Sequence, residues 1–183
     1  ASGGRIILGG TDMSVTPPED RPVSFLFQDN NLFQHLTIEQ NAGLALRPSL
    51  KLMQSERAAV HKALGACGLE GKEGRLPSEL SGGERQRAGL ARVLLQDRPI
   101  LLLDEPFAAL GPALRTEMAD LVRSIQREKH MNVLAVTHHP DEWEDKADGF
   151  VFVNNGRILT SGAMNLLAKS GKELAGYLGD RFR

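Results

Sequence analysis

The stretch "ILLLDE" at 100–105 constrains the fold more than any other part of this chain. Four apolar residues in a row read as a buried strand, and two carboxylates follow at its end. In open α/β sheets chemistry sits outside the carboxyl ends of strands. A buried strand here therefore delivers Asp104 and Glu105 into a crevice, where one carboxylate can hold Mg²⁺ and the other can polarise a water. Hard oxygen ligands suit Mg²⁺, which takes one or two carboxylates together with phosphate oxygens. A bare Asp-Glu pair is more often a strand ending in solvated acids. Here Pro106 follows the pair, and a distinctive loop and helix precede it.

That loop is "LSGGERQ" at 80–86. It sets a hydroxyl and two glycines, Ser81, Gly82 and Gly83, ahead of a helix. Helix N-termini attract anions through free N–H groups and the positive end of the dipole, and glycine lets a phosphate approach the backbone closely. The plain structural reading is a capping box, with Ser81 as cap and Glu84 three residues on. The two readings are compatible.

The rest of the chain alternates strands and helices. "GRIILGG" (4–10) reads as a short strand ending in a glycine turn, "TPPEDRP" (16–22) as a loop, and "VSFLFQ" (23–28) as a strand. From "DNNLFQHL" the pattern turns helical; Thr37 caps "IEQNAGLAL" and Pro48 ends it. Ser55 is the expected cap of "ERAAVHKALGAC", with Ala59, Leu64 and Cys67 on its apolar face. The next helix puts Ala88, Ala91, Leu94 and Leu95 on one side. Pro112 starts a long helix to about Lys129, and "NVLAVTHH" (132–139) is expected to be another buried strand. Pro140 starts a short acidic helix, whose Trp143 and "DEWED" run are assigned no chemistry. "GFVFVNNGRILTSG" (149–162) reads as a hairpin turning on Asn154-Asn155-Gly156, and 163–183 as helical. This alternation predicts an α/β fold with a mostly parallel sheet. Gln28, Asp104, Glu105 and His138 all fall at strand carboxyl ends. Gln28 can contact a metal or water, although a polar residue opening a loop is the commoner case. A histidine at "THH" can donate to a terminal phosphate oxygen, and on chemistry alone His139 serves as well as His138.

Composition excludes several classes. With 22 Lys+Arg against 23 Asp+Glu over 183 residues, nothing points to nucleic acid or an anionic membrane as the main partner. The lone Cys67 cannot form an internal disulfide, which fits a reduced setting and a small packed side chain. No apolar run approaches the ~20 residues of a membrane span, so a membrane role would come through a partner.

Together these motifs resemble the ATP-binding subunit of ABC transporters, from the strand at Arg5 to the hairpin near Gly162. "LSGGERQ" looks like the ABC signature, "ILLLDE" like Walker B, "FLFQ" like the Q-loop, and "VTHH" like the switch-histidine loop. The resemblance implies a P-loop NTPase-like fold with a helical subdomain over about 29–79. It implies ATP and Mg²⁺ as cofactors, with Asp104 on the metal, Glu105 as general base and His138 on the γ-phosphate. Gln28 would contact the nucleotide and metal site and couple it to the membrane subunits. Ser81, Gly82 and Gly83 would clasp the γ-phosphate of ATP held by a second ATPase subunit. The implied partners are permease subunits and, indirectly, a solute-binding protein; the implied location is the cytoplasmic face of the bacterial inner membrane. "RPVSFLFQDNNLFQHLTIEQNAGLAL" and the stretch from "LPSELSGGERQ" to "ALRTEM" look most like the ATPase of bacterial thiamine importers.

Two departures stand out. No G-x-x-x-x-G-K-[ST] occurs; "EGKEG" and "SGKEL" lack the hydroxyl residue and the strand–helix setting. The expectation is an N-terminal truncation of at least ~30 residues, the size of a βαβ portion, giving a single incomplete nucleotide-binding domain over 1–183. Such a chain is expected to be inactive alone, because it lacks the phosphate loop, and marginally stable, because the resemblance puts the lost strand beside the switch-histidine strand. Second, Gly111 stands where the family often has Asp. The alternative is a natural short chain, a non-hydrolytic binding module that pairs with a complete ATPase and offers "LSGGE" in trans. A DNA-repair or chromosome-organising head fits poorly, because no heptad run separates Gln28 from Ser81.

Overall fold

A computed structural model describes residues 3–28, 31–108 and 110–169. Within them the elements run β1 (Ile7–Leu8), β2 (Thr11–Asp12), β3 (Val23–Leu26), α1 (Ile38–Gly43), α2 (Gln54–Ala66), α3 (Gly82–Leu95), β4 (Ile100–Asp104), α4 (Pro112–Lys129), β5 (Asn132–Val136), β6 (Gly149–Asn154) and β7 (Arg157–Ala163). They form two compact units, residues 1–138 and 139–183.

The first unit is built on a three-stranded parallel sheet in the order β3-β4-β5. Its register sets Leu26 beside Leu103 and Leu103 beside Ala135. Because side chains alternate along a strand, one face carries Ser24, Leu26, Leu101 and Leu103, all buried. The opposite face carries Phe25, Leu134 and Val136, all exposed, with Leu102 half-buried between them. The expectation of a buried β5 is therefore corrected: its residues alternate, and Leu134 is 58% exposed. An apolar run reports hydrophobicity but not whether both faces of its sheet are covered.

The helices follow local rules closely. Thr37 caps α1 as expected: the Gln40 N–H donates to its hydroxyl at 3.2 Å, and the Gln40 side chain accepts from the Thr37 N–H at 2.9 Å. The helix stops at Gly43 rather than running to Pro48, and residues 31–37 are turns rather than helix. Gly43 is packed tightly; a Cβ there would stand 2.8 Å from Leu52 Cδ1. In α2 the cap position is Met53, not Ser55, which lies inside the helix. Glu56 replaces a capping hydroxyl by accepting the Met53 N–H at 2.8 Å. Its apolar face is Val60, Leu64 and Cys67, while Ala59 is exposed.

α3 buries Ala88, Leu90, Ala91 and Leu94, and α4 begins at Pro112 and ends at Lys129 as predicted. The two helices run side by side in the same direction. Gly83 meets Leu114, Arg87 pairs with Glu117, and Lys129 Nζ donates to the Leu94 carbonyl at 3.3 Å.

In the second unit β6 and β7 form the predicted antiparallel hairpin, with Asn154 opposite Arg157. Asn155 and Gly156 both have positive φ, 47° and 72°, the backbone demanded by a two-residue turn matched to strand twist. A short acidic 3₁₀ turn at Pro140–Trp143 bears out the reading of that segment. Ala163 ends β7 and Met164–Lys169 is a 3₁₀ helix; the rest of the predicted terminal helix lies outside the described residues. No described helix is long and apolar enough to cross a membrane.

Candidate nucleotide site at the sheet's carboxyl edge

The four strand-end residues stand after three neighbouring strands of the parallel sheet, Gln28 after β3, Asp104 and Glu105 at the end of β4 and His138 after β5. β4 ends at Asp104, whose partner on β5 is Val136, and the Glu105 N–H donates to the Val136 carbonyl at 3.0 Å. That bond extends the ladder one residue past the strand and fixes Glu105 beside the start of the histidine loop. The Glu105 backbone is left-handed, with φ at 44°. Its side chain is only 15% exposed, while Asp104 stays exposed.

Glu105 Oε1 is fully buried, makes no hydrogen bond and lies 3.2 Å from Nε2 of His138. This is an ion-pair distance, attractive when the imidazole carries its second proton. Of the two histidines the sequence left open, His138 has its ring at the carboxylate. Gln28 sits two residues past the end of β3, the strand beside β4, and is exposed.

Ser81, Gly82 and Gly83 stand on another element, the start of α3. The cap is fully formed: the Glu84 N–H donates to Ser81 Oγ at 3.3 Å, and Glu84 Oε2 accepts from the Ser81 N–H at 2.7 Å. Glu84 Oε2 also accepts from the Ser81 hydroxyl at 2.9 Å. The Glu84 carboxyl is held down to about 2, first by Lys72 and then by Ser81. Gly83 has a packing role as well, since a Cβ there would come within 2.5 Å of Leu114 Cδ2. Gly111, in the position noted for its missing Asp, is the cap residue of α4 without a side-chain bond.

Two residues the sequence reading passed over support this frame. Arg92, near the end of α3, donates to the Asn31 carbonyl at 2.6 Å and so ties that helix to the segment following Gln28. Asn41 in α1 is fully buried and gathers the loop before it, bonding to Phe33, Leu36 and Thr37. Arg92 has no local sequence signal, because its partner is 61 residues away, and the contacts of Asn41 depend on the turns that the preceding loop takes.

The donor set fits a Mg²⁺–nucleotide. Paired carboxylates at a strand end, one exposed and one with a buried unbonded oxygen, are hard ligands with capacity left over. Among the described residues no group of three or more acidic, histidine or cysteine side chains could hold a metal by itself. A concave surface lined by Thr37, Glu39, Gln40, Leu50, Leu52, Arg57 and Gly74 lies instead on the helical part.

The model of the ABC transporter family matches residues 1–108. A thiamine import ATP-binding protein ThiQ of Chelativorans sp. is 50% identical over 182 residues, 98% of this chain and 74% of that protein. The ThiQ of Mesorhizobium japonicum is 54% identical over 171 residues, 93% of this chain and 68% of its own length. That of Escherichia coli O157:H7 is 47% identical over 175 residues, covering 96% and 75%. Identity of this depth, spread over nearly all of the sequence, means that the chain belongs to the ABC transporter family, as one of its ATP-binding subunits.

Proposed function

We propose that this chain is the energy-coupling subunit of a bacterial thiamine importer, hydrolysing Mg²⁺–ATP at an interface between two ATPase subunits. The observation that carries the hydrolytic part is Glu105, with a buried, unbonded carboxylate oxygen 3.2 Å from His138 at the sheet's carboxyl edge. A carboxylate so placed can accept a proton from water, and the nearby imidazole can donate to a phosphate oxygen. Asp104 would hold Mg²⁺, which when bound offsets the charge of the phosphate oxygens. Gln28 would contact the same site and report its state to the membrane subunits. Ser81, Gly82 and Gly83 would meet the γ-phosphate of nucleotide held by the partner subunit. The solute assignment rests on the names of the three relatives given above, each a thiamine import ATP-binding protein.

The remaining partners follow from that reading: permease subunits, reached through residues 33–55, and a solute-binding protein beyond them. The concave surface around Thr37, Leu50 and Leu52 supports this contact. It would hold the chain peripherally at the cytoplasmic face of the inner membrane.

Glu105→Gln tests the hydrolytic role. In the full-length gene product it should lower turnover by about 10²–10⁴ while sparing ATP binding, the usual scale for a general base. An unchanged rate removes Glu105 from that role. Residues 1–183 by themselves contain no G-x-x-x-x-G-K-[ST] and are expected to hydrolyse no ATP above the Glu105→Gln background. If they only pair with a complete ATPase, the binding-module reading takes over. Uptake of labelled thiamine in cells with and without the gene tests the solute.

A further inference from the structure

We propose that Lys72 is a positioning residue for the signature hydroxyl of Ser81, acting through the Glu84 carboxylate and linking it to the start of α1. This rests on the reading of Ser81 as a phosphate contact.

The chain of contacts is continuous. The Ile38 N–H donates to the Arg75 carbonyl at 2.8 Å, and the Glu39 N–H to the Glu73 carbonyl at 2.9 Å. The first turn of α1 is thereby stitched to the loop after α2. The Arg75 N–H in turn donates to the Lys72 carbonyl at 3.1 Å, and the Lys72 N–H to the Leu69 carbonyl at 3.1 Å, which closes the loop on itself. From this loop Lys72 reaches across and pairs with Glu84 Oε1. Glu84 uses its other oxygen on both the N–H and the hydroxyl of Ser81. Its two oxygens are thus divided, one for the cation and one for the serine.

This division has a consequence for an anion. A Ser81 hydroxyl that donates to Glu84 is not donating to phosphate, so it must rotate away from Oε2 when nucleotide arrives. A bare carboxylate would oppose that step twice, by holding the hydroxyl proton and by repelling the incoming charge. Lys72 weakens both effects, because it offsets the charge of Glu84 while leaving the backbone cap intact. It also gives any movement of α1, on the proposed docking segment, a direct connection to the signature serine.

The test uses the full-length gene product in its assembled complex. Lys72→Met should raise the half-saturating ATP concentration about three- to fivefold, the scale of a partly exposed ion pair, with little change in turnover at saturation. Lys72→Arg should restore it to within about twofold. In a Glu84→Gln background, where no charge needs offsetting, Lys72→Met should have no further effect. In nucleotide-free protein, Lys72→Met should slow amide exchange at Ser81, whose N–H then bonds to an uncompensated carboxylate, and Glu84→Gln should remove that difference. A lowered melting temperature with unchanged half-saturating ATP would mean that Lys72 serves structure alone and would overturn the proposal. So would an equal effect of Lys72→Met in the Glu84→Gln background. Ser81→Ala separates the two levels. If it leaves ATP dependence unchanged, the phosphate role of Ser81 is wrong; if it impairs ATP dependence while Lys72→Met does not, only the role of Lys72 is wrong.

Discussion

Replacing Asn41 should distinguish hydrogen bonding from simple filling of space in the loop behind Gln28. Its Oδ1 accepts the Phe33 N–H at 2.8 Å, and its Nδ2 donates to the carbonyls of Phe33, Leu36 and Thr37, each at 3.0 Å. Two amide hydrogens shared among three carbonyls amount to about two full bonds, so the side chain contributes about three in all. At roughly 1 kcal/mol net per bond, Asn41→Ala should destabilise by about 2–4 kcal/mol. Asn41→Asp has nearly the same shape and keeps the bond from Phe33. It loses both donors, however, and sets a carboxylate against three carbonyls at a site with no solvent exposure. It should therefore be worse than alanine at neutral pH, by about 1 kcal/mol or more, since a buried charge with a single donor is strongly unfavourable. Lowering the pH restores one donor by protonation, so the gap between Asn41→Asp and the parent should narrow in acid. Urea unfolding at two pH values gives the energies, and amide exchange at Phe33 reports the local bond. Asn41→Asp within about 1 kcal/mol of the parent at pH 7 would refute the donor assignment, as would an alanine variant less stable than the aspartate.

Two further outcomes follow from groups with displaced acidities. Burial pushes the Cys67 thiol up to about 12. At pH 8 the native thiolate fraction should be about a thousandfold below that of an unfolded chain, so alkylation should await unfolding; fast labelling without unfolding would contradict the burial. Glu84, held down to about 2 from 4.5, stabilises the start of α3 fully above about pH 4.5 and loses that contribution as the pH falls toward 2. The melting difference between parent and Glu84→Gln should therefore shrink across this window, and a difference that stays flat would refute it.

Much of the site was legible because its residues sit at element ends, where sequence signals are strongest. "ILLLDE" gave both the strand and its carboxylates, Pro112 gave the first residue of α4, and Asn154-Asn155-Gly156 gave the turn of the last hairpin. The misreadings arose where a local rule has two solutions. In the alanine-rich α2 the apolar stripe can be phased through Ala59 or Val60, and only packing decides for Val60. Ser55 is a good cap by composition, yet Glu56 serves Met53 two residues earlier. α1 looked longer than it is because nothing nearby in sequence announces Leu52 closing against Gly43. In sequence Lys72 reads only as the lysine of "EGKEG", which lacks the hydroxyl of a phosphate loop; its partner Glu84 is twelve residues away and is joined to it by the fold alone.

Glu105 holds a left-handed backbone, φ 44°, that side chains other than glycine, asparagine and aspartate rarely adopt. A library sorted for folding alone should therefore drift at this position toward glycine or asparagine, gaining about 1 kcal/mol. A library sorted for ATP turnover should keep glutamate. The same codon would report opposite preferences under the two selections, and the disagreement would mark residue 105 as a place where this protein is less stable than its fold permits.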